Sequence, residues 1–155
     1  MFNWADMAYR QSTTTGESKL LDGVLVESSL REDVDGRRAM VEVFSSPELT
    51  IRDVKFLDIL PQDDGGKVVI GGHWEKGVEI QYLLSGRIAQ LDLADVATGE
   101  KRTVTDIPAG SRVTLPAGVA HRLIFCEPSL LLVCNEVPFV QEKCVVYPYT
   151  TPLPV

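Results

Sequence analysis

The chain has 155 residues, 45% of them hydrophobic and 24% charged, enough for one domain with a sizeable core. Its formal net charge of -7 argues against a nucleic-acid partner, because phosphate backbones are met by basic surfaces. No stretch reaches the apolar length of a membrane span, so no membrane partner is expected.

The N-terminal MFNWADMAYRQ lacks a basic start followed by an apolar run, and so does not read as a secretion signal. A short helix is expected around Trp4 to Tyr9, followed by the polar linker QSTTTGES. From there the pattern is strand after strand: LLDGVLVESS, RRAMVEVFSS, LTIRDVKFLDIL, KVVIGGHW, EIQYLLSG, RIAQLDLADV, KRTVTDI, RVTL, HRLIFCE and LLLVCNEV. Each is short and rich in Val, Ile, Leu and Thr, and turn-forming segments such as PQDDGG, ATGE and CEPS separate them. This spacing predicts an all-β sandwich or barrel. The expected division is an arm over residues 1–20, a barrel over 21–147 and an extended, proline-rich tail over 148–155. Cys126, Cys134 and Cys144 have no metal-binding spacing and read as small apolar residues of a reduced, cytoplasmic protein.

The two histidines stand in the most informative stretches. In GGHWEKGVEIQYLLSG, Gly71 to Gly86, the period of a strand puts His73 and Glu75 on one face. Beyond a short turn at Lys76 and Gly77, Glu79 and Gln81 share a face, with Ile80 and Tyr82 opposite. Read as an inward-facing hairpin, the stretch forms a polar cluster of His73, Glu75, Glu79 and Gln81. Buried carboxylates are costly unless they are paired, hydrogen-bonded or bound to a cation, so such a cluster points to a site. The second histidine closes GSRVTLPAGVAH, in which five residues separate Gly110 from Pro116, one separates Pro116 from Gly118, and two separate Gly118 from His121.

Together the two stretches resemble the paired motifs of the cupin superfamily, small β-barrels of jelly-roll type. In the first motif Glu75 replaces the usual second histidine, while His73, Glu79 and Gly86 match. In the second, Phe125 stands where asparagine is usual. The resemblance implies an all-β, double-stranded β-helix (jelly-roll) cupin barrel. A further segment, DGRRAMVEVFSS, is similar to one in dTDP-sugar cupins, the 3,5-epimerases and 3,4-ketoisomerases of 4-keto-6-deoxyhexoses. Asp35, Arg37 and Glu42 match there; by that resemblance Arg37 would contact phosphate and Glu42 the base or ribose. Those families also carry Arg-Gly-x-His before the first motif; here Ile70 replaces the arginine and Gly71, Gly72 and His73 follow.

Three functions stay open on this reading. In the leading one, the chain is an isomerase or epimerase of a nucleotide-activated or related keto sugar. His73 is then the base, Glu75 and His121 complete the catalytic set, and Arg37, Glu42 and Gln81 bind substrate. In the second, His73, Glu75, Glu79 and His121 hold a divalent metal (Mn²⁺, Fe²⁺, Ni²⁺ or Zn²⁺) in a dioxygenase or a metal-assisted isomerase. In the third, the barrel binds a sugar or small acid without turnover. A homodimer is expected, with LTIRDVKFLDIL as part of its interface.

Overall fold

The computed structural model describes residues 20–28, 31–33, 39–44, 47–61, 66–140, 145–149 and 153. The expected N-terminal helix and Arg37 lie outside them. The described chain is all-β, as expected. Its strands are β1 (Leu25–Glu27), β2 (Arg31–Asp33), β3 (Ala39–Val41), β4 (Asp53–Ile59), β5 (Val68–Trp74), β6 (Glu79–Ser85), β7 (Arg87–Asp95), β8 (Lys101–Pro108), β9 (Arg112–Leu115), β10 (Val119–Phe125), β11 (Ser129–Asn135) and β12 (Val145–Val146). Two five-stranded sheets form the barrel, in the orders β1-β9-β6-β11-β4 and β12-β5-β10-β7-β8, and β2 pairs with β3. Every pairing is antiparallel. No helix among the described residues is long and apolar enough to cross a membrane.

Alternation explains which faces meet. On β10, His121, Leu123 and Phe125 point between the sheets, and on the neighbouring β7 Leu91 and Leu93 do the same. Leu83, Ile88, Ile107, Val113, Leu115 and Leu131 join them in one apolar core. Phe125 is fully buried there, and its burial contributes about 1.5–3 kcal/mol. The departure from the motif at Phe125 thus serves the dry end of the barrel.

One expectation needs correction. The stretch read as a hairpin is a corner between the sheets, because β5 belongs to one and β6 to the other. Glu75 and Gly77 make the crossing and are held by neighbouring loops. The Gly118 amide donates to the Glu75 carbonyl at 3.0 Å, and the Glu136 amide donates to that of Val78 at 2.9 Å. Gly77 is packed so closely that a Cβ there would stand 2.7 Å from Val137. A second such corner, at Gly86, joins β6 to β7; it has φ +81°, and a Cβ there would meet the Pro128 carbonyl at 2.5 Å. Crossing rather than doubling back is what sets His73 and Glu79 face to face across the barrel.

Candidate functional site

A bulge aims His73. Along β5, Phe125 pairs with Val68, Leu123 with Ile70 and Arg122 with Gly71, but His121 pairs with His73. Gly72 is therefore the extra residue. Regular alternation from Ile70, with no bulge, would turn His73 out. Both Gly71 and Gly72 have φ of +81°, the left-handed region that glycine adopts freely. Gly71 is also sterically required, since a Cβ there would stand 2.6 Å from the His121 carbonyl oxygen. His73 and His121 end edge to face with their ring centroids 5.0 Å apart.

Glu79 faces them from the opposite sheet. Gln81 Nε2 donates to its Oε1 at 2.5 Å, and Asn135 Nδ2 donates to its Oε2 at 2.8 Å. His121 Nε2 lies 3.3 Å from Oε1. Burial alone would raise the Glu79 pKa, but the His121 charge and the hydrogen bonds from His121, Gln81 and Asn135 outweigh it and hold the group at about 2. For His121, burial disfavours the charge, yet Glu79 beside it wins and the pKa is raised. Each group thus favours the charged form of the other.

His73 and Glu75 are tuned the other way. Burial, then the nearby His121 charge, lowers the His73 pKa. Burial, then the Glu79 charge, raises that of Glu75. His73 Nε2 and Glu75 Oε1 lie 3.4 Å apart. Burial thus favours the neutral forms of both groups, and no hydrogen bond joins them.

His73, Glu79, Gln81, His121 and Asn135 line a cavity of about 200 Å³, whose walls also include Leu57, Ile70, Leu123, Leu131 and Val133. Lys55 also lines it, held by Asp53 at 2.6 Å. Phe139 stands beside His73, with ring centroids 5.5 Å apart.

Of the sequence-derived residues, His73, Glu79, Gln81 and His121 line this cavity, and Glu75 stands behind His73. Glu42 does not line it; its side chain is exposed, and its carbonyl accepts from Arg112 Nη1 at 3.1 Å. Asn135, Lys55 and Phe139 were not foreseen. Asn135 had a signal, since LLLVCN alternates and places it on the inward face with Leu131 and Val133. Lys55 had the same one, alternating inward with Leu57 and Ile59. Phe139, beyond the last long strand, had none.

The donor set also suits a divalent cation. Potential ligand atoms of His73, Glu79 and His121 all lie within 4.8 Å of one another. Two imidazoles and a carboxylate are common ligands of such metals, and modest side-chain rotations would bring the atoms to bonding distance. Glu75 is outside that group of three, so the expected four-ligand set is gathered only in part.

No protein-family model matches the chain, and no curated protein does. Solved structures do match. A 3,4-ketoisomerase, QdtA from Thermoanaerobacterium thermosaccharolyticum in complex with TDP-4-keto-6-deoxyglucose, is 14% identical with a TM-score of 0.61, covering 81% of this chain and 88% of that one. ChmJ, a 3'-monoepimerase from Streptomyces bikiniensis in complex with dTDP-quinovose, is 16% identical with a TM-score of 0.63, covering 80% and 69%. The rmlC epimerase of Mycobacterium tuberculosis is 16% identical with a TM-score of 0.64, covering 81% and 69%. The fold is the cupin jelly roll that the paired histidine motifs led us to expect.

Proposed function

We propose that the chain is a cupin isomerase or epimerase of a keto sugar, nucleotide-activated or closely related, with His73 as its base. One observation carries the reading. A bulge pairs His73 with His121, next to Glu75 at 3.4 Å and opposite the close His121–Glu79 contact. A carbon next to a ketone loses its proton to the His73 imidazole, and the electron pair moves onto the carbonyl oxygen. The His121 imidazolium would stabilise that oxyanion. Return of the proton to the other face of the same carbon inverts a centre; its return to the former carbonyl carbon, with the neighbouring hydroxyl proton passing to the oxyanion, moves the ketone. Glu75 would hold or relay the proton meanwhile. The printed activities and ligands of QdtA and ChmJ support a substrate of this class.

The test is solvent exchange. With dTDP-4-keto-6-deoxyglucose in D₂O, the protein should place deuterium next to the ketone, and His73→Asn should not. Undiminished exchange in His73→Asn would overturn the reading. Binding without exchange in the parent would favour a non-catalytic, sugar-binding cupin instead.

A second reading, a metal-dependent cupin enzyme, is supported by the 4.8 Å grouping of His73, Glu79 and His121. Metal bound there would supply Lewis-acid stabilisation to an enolate or open a dioxygenase chemistry. Elemental analysis of protein purified without a metal column decides it. Near-stoichiometric Mn, Fe, Ni or Zn, lost in Glu79→Ala, would favour the metal enzyme.

The homodimer belongs to the same proposal. On β4 the outward residues Val54 and Phe56 are 56% and 65% exposed, and Leu60 just beyond is 66% exposed. Such an apolar edge favours a second copy as partner. Light scattering should report a dimer that Phe56→Asp weakens; a parent that stays monomeric would contradict it.

A further inference from the structure

The hydrogen bonds around Glu79 restrict what the cavity can hold. An ionised carboxylate only accepts hydrogen bonds. Gln81 and Asn135 must therefore both turn their amide nitrogens to Glu79, as they do at 2.5 and 2.8 Å. The alternative orientation would set oxygen against oxygen. The consequence falls on the other ends of the two amides. Gln81 Oε1 and Asn135 Oδ1 are buried acceptors with no hydrogen-bond partner among the described residues. Both side chains line the cavity, and each residue is only 2% exposed. Buried acceptors left without a donor are costly, so two in one cavity call for a ligand that supplies donors.

The surroundings narrow the class. Anionic groups are themselves acceptors and bring no hydrogen to these two amide oxygens, although Lys55 and His121 line the same cavity. Hydroxyl groups bring the missing hydrogens. The aliphatic walls, Leu57, Ile70, Leu123 and Leu131, suit the C–H faces of a small ring. We propose that the part of the substrate entering the barrel is an uncharged, hydroxylated ring that donates two hydroxyl hydrogen bonds, one to Gln81 Oε1 and one to Asn135 Oδ1. A diphosphate or a carboxylate supplies neither of these hydrogen bonds. This assignment rests on the keto-sugar reading for its substrate but concerns binding, so the two can fail separately. It also separates sugars from small acids, which the sequence left as equal candidates for a binding barrel.

The experiment is saturation-transfer NMR, followed by calorimetry, on the full chain. The probes are free D-glucose, D-xylose, D-fucose and L-rhamnose, their monodeoxy analogues, and succinate and 2-oxoglutarate. At least one sugar should bind, removal of a hydroxyl at two ring positions should each weaken it at least tenfold, and neither acid should compete. Asn135→Leu and Gln81→Met should weaken the sugar by a similar factor. The deoxy series on the parent protein keeps the test independent of whether those variants fold. Sugars that bind equally without any one hydroxyl, acids that compete, or no binding by any sugar, which would leave ordered water alone on the two oxygens, would each overturn it. If the parent binds as described but exchanges no deuterium, the base assignment falls and this one stands. If it exchanges deuterium while the deoxy sugars bind unchanged, only this one falls.

Discussion

Among the described residues the barrel buries two carboxylates, and they are handled differently. Asp92 on β7 and Glu79 on β6 are each almost fully covered, and each accepts from a glutamine two residues away on its own strand. Asp92 is then closed off by Thr103 Oγ1 at 2.9 Å and by the Arg122 guanidinium, with Nε at 2.9 Å and Nη2 at 2.5 Å. Tyr149 packs on that guanidinium, 4.8 Å from its ring centroid. Every donor around Asp92 comes from the fold. Glu79 is equally well supplied, but its amide donors leave unpartnered oxygens and border a cavity. A buried charge is therefore not by itself the mark of a site. Unspent hydrogen-bonding capacity beside an open space is.

Substitutions should expose this difference, and the largest effect belongs to the structural cluster. Arg122→Met leaves Asp92 buried without its guanidinium and should cost about 3–5 kcal/mol in urea unfolding. A loss below about 1 kcal/mol would mean that Asp92 is better solvated than its surroundings indicate. Next comes Gly71→Ala, which places a side chain at φ +81° and a Cβ 2.6 Å from the His121 carbonyl. It should cost about 1–3 kcal/mol and, by moving His73, should remove deuterium exchange. Retained exchange would show that the bulge does not aim the base.

Glu79→Gln should cost stability less than Arg122→Met does, about 1–3 kcal/mol. His121 can give up its proton when its partner is lost, a release open to an imidazole and closed to a guanidinium. The same variant sharpens the pH dependence. The folded Glu79 pKa of about 2 lies below its ordinary value of 4.5. Its contribution is therefore complete above about pH 4.5 and lost as the pH falls towards 2. Acid unfolding of Glu79→Gln should lack that part of the fall. An unchanged acid limb would mean that Glu79 is not ionised in its pocket.

The comparison also shows what sequence could and could not reveal. The strands and the cupin fold were legible because alternation and the motif spacing are local. His73, Glu79, Gln81 and His121 were legible as polar residues on inward faces. The corner between β5 and β6 was not, because a short turn after a strand looks alike whether the chain doubles back or crosses to a second sheet. Nor was the bulge, since GGH in a strand does not say which glycine goes unpaired. Glu42, expected by resemblance to meet a base or ribose, has an exposed side chain and does not line the cavity. The Asp92 cluster escaped notice because Gln90 and Arg122 look like ordinary outward-facing polar residues, and only the tertiary structure covers them.

The central claim is a division of labour between the two histidines, and it can be read directly. The chain contains only His73 and His121, so ¹⁵N correlation spectra of the imidazoles are assigned by one variant, His73→Asn. Near neutral pH, His121 should show both ring nitrogens protonated, and His73 should show a neutral ring. A neutral His121 beside a charged His73 would contradict the account, because the base it requires would already carry its proton.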